Sequence, residues 1–314
     1  MRKGIVAAAA VLIAGLTTAQ AETPSVAITA IVDHPALNAV RDGVKEGLAK
    51  AGINADFTYE SAQGQAATAV QIARQFVGRK PSVIVAISTP SAQAAASATK
   101  DIPIVFSAVT DPLGSKLVAD VQKPGGNVTG VSDRSPVTDQ IALVTELTPD
   151  VKRLGVLYNP GESNSVASLA AIREAAAAKG ITVVEGPATK SADVQTTARG
   201  LVGRVDALFV PTDNTIVSAF EGVVSVANGA KLPLYAADTD SVPRGALAAV
   251  GFNYHQVGLE TAGVVARILK GEKPSDIPVV FAAGSDLAVN RATAQAIGVT
   301  LPQAVLKRAS KVVD

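Results

Sequence analysis

The 314-residue chain carries 28 basic against 27 acidic side chains, a formal net charge of +1, with 48% hydrophobic residues, 4% aromatics and no cysteine. That balance excludes a polyanion binder, which needs a dense Lys/Arg surface, and the lack of cysteine excludes disulfide scaffolds, thiolate metal sites, thiol nucleophiles and a lipid anchor on cysteine. Two histidines, His34 and His255, are too few for a histidine-rich metal site, so neither a metal nor a cofactor is expected.

At about 150 residues per domain, the length suggests two domains. The first 21 residues are of a different kind: Arg2 and Lys3, an apolar run from Gly4 to Leu16, then the small-x-small triplet Ala19-Gln20-Ala21. This is the pattern of a secretory signal peptide cleaved after Ala21, and the run is shorter than the ~20 apolar residues that span a bilayer. Losing Arg2 and Lys3 takes the net charge from +1 to −1. With no cysteine after the run to carry a lipid, the expected location is the periplasm of a bacterium with two membranes.

Past Glu22, β-branched runs alternate with Ala-rich segments of helical period. Strands are predicted at Val26–Val32, Ile53–Tyr59, Val83–Ile87 and Ile104–Ser107, and helices at Ala36–Lys50, Ala66–Val77 and Ser91–Thr99. The strands are continuous in Val, Ile and Ala rather than alternating, as parallel strands covered on both faces must be. After Pro124-Gly125-Gly126-Asn127 and Val128–Ser132 the pattern restarts. Helices at Thr138–Leu147, Val166–Lys179, Ala192–Val202 and Ile216–Ala227 interleave with strands at Arg153–Tyr158, Ile181–Glu185, Ala207–Val210 and Leu232–Tyr235. A long helix, His255–Leu269, a strand at Ile277–Phe281 and a short tail follow. The expected fold class is α/β, two Rossmann-like lobes with parallel sheets in series. Crossings between lobes are placed near Ser132, Val250 and Asp276, which assigns residues 22–132 plus 250–275 to one lobe and 133–249 plus 276–314 to the other.

Ligands of doubly wound sheets bind beyond the carboxyl ends of the strands, so those positions carry the chemistry. Ser88-Thr89-Pro90-Ser91 is a helix start whose free N–H groups and dipole suit an anion. Plain capping uses one of its hydroxyls; three in four residues point toward a carboxylate. Thr110 follows the fourth strand. Asp213 and Asp238 end strands of the second lobe, where each could receive an ammonium group or simply cap the next turn. Asp213 is well placed for capping, whereas Asp238 precedes no evident helix. Asn164 and Ser165 sit in a loop feeding a helix. His34, before Pro35, reads as a pocket or capping side chain and His255 as structural, while Tyr158, Phe252 and Tyr254 lie near cleft or hinge positions. No GxSxG, GxGxxG or GxxxxGK[ST] pattern occurs, so hydrolase and nucleotide readings have no motif.

The strings HPALNAVRDGVKEGLAKAG, STPSAQAA, IPIVFSAVTDPLGSKLV, PGGNVTGVSD, GVLYNPGESNS, DALFVPTDN and GFNYHQVGLETAGVVARILKGEKPSDIPV run in order from about Val26 to Ala288. Together they resemble the periplasmic substrate-binding proteins of ABC importers, in the branch associated with tryptophan and tyrosine. The resemblance implies the type I periplasmic binding fold, two lobes on a multi-segment hinge closing on a small-molecule solute. It also implies delivery to an inner-membrane permease and its ATPase, a monomer, no nucleic-acid partner and no catalysis. In amino-acid binders of this fold, hydroxyl loops of the first lobe take the substrate carboxylate and acidic residues of the second take the ammonium. The matching positions are Ser88, Thr89 and Thr110, then Asp213 and Asp238, with Asn164 and Ser165 in the YNPGE-x-NS string. The expected solute is an α-amino acid, aromatic in this branch. The alternatives are a branched-chain amino acid or sugar binder and a secreted α/β enzyme. A transcription-factor sensing domain would need a DNA-binding segment where the signal peptide stands.

Overall fold

Unbroken apolar runs become the central strands of two sheets. The protein is described by a computed structural model over residues 23–314, so the signal peptide expected at 1–21 lies outside the described residues. The first lobe begins β1 (Ser25–Ala30), α1 (Pro35–Lys50), β2 (Asp56–Ser61), α2 (Ala66–Arg79), β3 (Val83–Ile87), α3 (Thr89–Ala98), β4 (Ile104–Ser107) and β5 (Val128–Ser132). Every residue of β3, β4 and β5 is buried, as sequences without alternation require, while β2 at the sheet edge is partly exposed. The chain then builds α4 (Val137–Leu147), β6 (Arg153–Tyr158), α5 (Ser163–Ala177), β7 (Thr182–Pro187), α6 (Val194–Leu201), β8 (Ala207–Val210), α7 (Asn214–Ser218), α8 (Phe220–Ala230), β9 (Leu234–Asp238) and β10 (Ala248–Phe252). It closes with α9 (Tyr254–Leu269), β11 (Val280–Phe281), β12 (Asp286–Asn290), α10 (Arg291–Ile297), α11 (Gln303–Arg308) and β13 (Lys311–Val313).

The two sheets run β11-β5-β4-β3-β1-β2 and β13-β12-β10-β9-β8-β6-β7. All pairings are parallel except β10 with β12. In the second sheet Phe209 faces one apolar core while Leu208 and Val210 face another, the period-2 signature of a strand covered on both sides. This is the expected two-lobe α/β architecture of the type I kind.

The crossings differ in detail from the sequence reading. The first follows Ser132, the last residue of β5. The second comes at Asn253, because β10 pairs with β9 and β12 and so keeps 250–252 in the second sheet. The third is not near Asp276 but after Phe281. Val280 and Phe281 pair with Val131 and Ser132 of β5, and Ile277 and Val279 are buried in the first lobe's core. The helix expected over Ile216–Ala227 is also divided, at Ala219, into α7 and α8.

What returns α9 to the first lobe is its fit against α1. A methyl group on Gly43 would lie 2.3 Å from the carbonyl oxygen of His255, and one on Gly258 would lie 2.3 Å from that of Val40. Only glycine at both positions lets the two backbones approach so closely.

Candidate functional site

The carboxyl ends of both sheets face one another. Thr110 Oγ1 lies 3.3 Å from Thr212 Oγ1 across the gap, and Gln93 Nε2 donates to Ser163 Oγ at 3.5 Å. Between the lobes lies a narrow chamber. The first lobe contributes His34, Leu37, Ala108 and Thr110, the first crossing Asp133, the second crossing Tyr254, and the second lobe Asn164, Thr212, Asp213, Val217 and Asp238. An outer crevice, bordered by Gln65, Pro90, Glu162 and Lys190, meets the chamber at Asn214.

Three carboxylates and no lysine or arginine line the chamber. Asp133 Oδ1 accepts from Thr110 Oγ1 at 3.1 Å and its Oδ2 from the Tyr254 hydroxyl at 2.7 Å, joining two crossings in one bond. Burial raises its pKa, partly offset by those two donors. Asp213 Oδ1 caps α7 by accepting from Ile216 N at 2.8 Å, and its Oδ2 accepts from Asn159 N at 2.5 Å and from the Ser165 hydroxyl. Burial and then the neighbouring Glu162 charge push Asp213 up to about 7, against those donors. Asp238 accepts from the N–H and hydroxyl of Ser241 at 2.8 and 2.7 Å, and burial raises it as well. Asp240 next to it is raised to about 6 by burial and by Asp238.

Of the residues singled out in sequence, Thr110, Asn164, Asp213 and Asp238 line the chamber. Ser165 lies behind it, fully buried, and holds Asp213 in place. Asp238, read as preceding no helix, does cap a turn, the short 3₁₀ segment Thr239–Ser241. Ser88 and Thr89 are not among the chamber-lining residues; they are 2% and 1% exposed at the start of α3, and their hydroxyls, with that of Ser91, are buried without a protein partner. Ser88 holds φ +78° and Ala108 holds φ +53°, two non-glycine residues in sparsely populated backbone regions on adjacent strand ends. Such strain persists where surrounding structure imposes it, and it gathers at ligand sites.

Sequence reasoning missed Asp133, Thr212 and the work of Glu162. The Glu162 carboxylate accepts from Asn159 Nδ2, Asn164 Nδ2, Asn214 N, Asn214 Nδ2, Thr215 N and Thr215 Oγ1, tying the start of α5 to the start of α7. The signal was present in the two strings YNPGE and PTDN, but only folding brings them together. His255, taken as structural, pairs with Glu46 of α1 at 3.0 Å, outside the chamber. Phe252 packs against Tyr254 with centroids 6.0 Å apart. Among the described residues no group of three or more His, Cys, Asp or Glu is placed to hold a metal ion.

Comparison with known proteins follows the same lines. The family model for ABC transporter substrate binding proteins matches residues 25–313. A tyrosine-binding protein of Clostridioides difficile is 39% identical over 277 residues, spanning 87% of this chain and 80% of that protein. The ABC domain from Streptococcus pneumonia in complex with L-Trp superposes with a TM-score of 0.90 at 37% identity, covering 93% of this chain and 100% of that one. The ligand-free, open structure of a substrate binding protein with adhesive properties from Clostridium difficile gives only 0.70 at 40% identity, covering 92% and 99%. At nearly equal identity the tryptophan-bound form fits far better than the open one, so the lobes described here are in a closed arrangement. A closed two-lobe chamber, a match over almost every described residue and relatives at this identity give one answer: the chain belongs to the ABC transporter substrate binding protein family.

Proposed function

We propose that the chain is the periplasmic component of an ABC importer that captures an α-amino acid, aromatic in its side chain, and delivers it unaltered to an inner-membrane permease and its ATPase. The observation that carries this reading is the chamber wall of Asp133, Asp213 and Asp238 without a basic residue. An ammonium group leaving water loses hydration worth many kcal/mol, and only an apposed carboxylate restores it. Burial raises the pKa of each of the three, so each is unfavourable in its charged form until a cation joins it, which makes the wall a device for accepting one. Donors for the ligand carboxylate are available at the start of α3, in helix N-terminal N–H groups and the partnerless hydroxyls of Ser88, Thr89 and Ser91, which bring no competing charge but lie behind the chamber lining and are reached by a local shift. A sugar needs neither feature, and Tyr254 is the single aromatic ring lining the chamber, too few to sandwich one. The tyrosine-binding relative and the tryptophan-bound neighbour support an aromatic ligand, and the signal-peptide pattern at 1–21 supports export.

The test is to purify the protein from periplasm without added ligand, denature it and identify what is released by mass spectrometry. An unmodified aromatic amino acid is expected. A sugar, or a chemically altered product of an added amino acid, would contradict the proposal.

A further inference from the structure

Asp133 directly follows β5 and Tyr254 is the first residue of α9, so the two stand where the first and second crossings meet the first lobe. Both side chains are buried, and the Tyr254 hydroxyl donates to Asp133 Oδ2 at 2.7 Å. Burial and the charges of Asp133, Asp238 and Asp240 hold the Tyr254 phenol well above its ordinary value, so it keeps its proton and the direction of this bond is fixed. The Tyr254 ring packs against Phe252, with centroids 6.0 Å apart. Phe252 in turn meets the third crossing, where a methyl group on Gly284 would lie 2.7 Å from its ring. Asp133 is thus pinned where the three crossings come together.

The other carboxylate oxygen, Oδ1, accepts from Thr110 Oγ1 at 3.1 Å, and Thr110 Oγ1 lies 3.3 Å from Thr212 Oγ1 of the second lobe. A hydroxyl has one proton to give. Thr110 gives its own to the carboxylate, the stronger acceptor, so its oxygen meets Thr212 as an acceptor and the Thr212 hydroxyl donates. The contact between lobes therefore has a direction, from Thr212 through Thr110 to a carboxylate at the hinge, and two such bonds in line polarise one another. The Thr110 backbone is held as well, its carbonyl oxygen accepting from Ser132 Oγ at 3.4 Å. Thr110, Asp133 and Tyr254 all lie on first-lobe segments or at their ends, whereas Thr212 leaves with the second lobe.

We propose that Tyr254 is a positioning residue for lobe closure: by fixing the Asp133 carboxylate at the hinge, it aims the Thr110 hydroxyl so that its oxygen is ready to receive Thr212 when the lobes meet. Without Tyr254 the carboxylate is free to turn about its Cβ–Cγ bond, and Thr110 loses the fixed acceptor that orients it. The four side chains form a latch whose strength is set away from the contact it serves. The latch rests on the closed arrangement of the lobes; the amino-acid reading above enters as the choice of probe.

Stopped-flow dissociation of L-tyrosine at pH 8 from the wild type, Thr212→Val, Tyr254→Phe and the double variant tests this, with Thr212→Ser as the variant that keeps the hydroxyl. Each single loss should speed dissociation about threefold to tenfold, the scale of one neutral hydrogen bond, with association unchanged. Thr212→Ser should stay within about twofold of the wild type. In the Tyr254→Phe background, losing the Thr212 hydroxyl should cost about twofold or less, whereas two independent ligand contacts would multiply. A folded Tyr254→Phe that dissociates like the wild type, a double variant equal to the product of the singles, or a Thr212→Ser as fast as Thr212→Val overturns the proposal. Opening itself is read by energy transfer between fluorophores on Val70→Cys and Val202→Cys, exposed positions of the two lobes in a chain without cysteine. Opening should be faster in both single variants, and the wild-type opening rate in either overturns the latch. If L-tyrosine leaves energy transfer in the wild type unchanged, the ligand reading has failed; the compound released from the periplasmic preparation then takes its place, and the same results decide the latch.

Discussion

Asp238 allows charge to be removed without disturbing shape. Its oxygens receive the N–H and hydroxyl of Ser241, and the hydroxyl can rotate to accept from an amide instead. Asp238→Asn should therefore keep the turn, leave the ligand-free thermal midpoint equal or higher, and weaken amino-acid binding by roughly 30-fold to several-thousand-fold, the range for losing one partner of a buried charge pair. Wild-type affinity in the folded variant would remove Asp238 from the ammonium site. Asp213→Asn is a poorer probe, because an amide cannot accept from Asn159 N and cap Ile216 at the same time. Asp213 is better read through pH. Its carboxyl, at about 7 in the folded chain against about 3.9 unfolded, holds a proton between pH 4 and 7 that the unfolded chain has lost. Its contribution to stability thus declines as pH rises through that window. Binding an ammonium requires the proton to leave, so affinity should weaken as pH falls from 8 to 6, with protons released into the buffer on binding. Calorimetry in buffers of different ionisation enthalpy measures this; heats independent of buffer and a flat affinity would contradict it.

At the scale of elements, the α1–α9 contact decides which lobe the second crossing serves. Gly43→Ala places a methyl group against the His255 carbonyl, and overpacking of this kind costs about 1–3 kcal/mol, more than the roughly 1 kcal/mol that alanine gains over glycine in a helix. Gly263→Ala, on the exposed face of α9 with nothing within 4 Å, has the gain without the clash. Denaturant unfolding should show opposite signs for the two, and equal effects would mean the helices do not meet as described. The long elements were legible because β3, β4 and α9 state their period in their own residues. The strands β12 and β13 were not, because Asp286–Asn290 has only Leu287–Val289 apolar between polar ends and Lys311–Val313 is three residues long at the sheet edge. The site divides in the same way. Thr110, Asp213 and Asp238 could be found because they follow strands legible in the sequence; Asp133 also directly follows a strand, but Val128–Ser132, with Thr129 and Gly130 in it, does not state a strand pattern of its own. The strand-end rule also over-reached at Ser165, which supports Asp213 from behind instead of lining the chamber.

For the whole molecule, two of the three crossings enter the chamber lining, at Asp133 and Tyr254, which couples closure to ligand contact. The lobes touch through Thr110 and Thr212, and the same Thr110 donates to Asp133 in the first crossing. Few direct bonds hold the closed form, which leaves the ligand as the main source of differential stability between open and closed states. On the proposed reading the acid wall receives the ammonium group, which can be deleted from the ligand without touching the protein. Titrating L-tyrosine and 3-(4-hydroxyphenyl)propionate, which lacks only the amine, into one preparation at pH 8 isolates that interaction. The acid wall predicts that the deaminated compound binds at least about 30-fold more weakly, the lower bound for a buried charge left unpaired. Equal affinity for the two would contradict it.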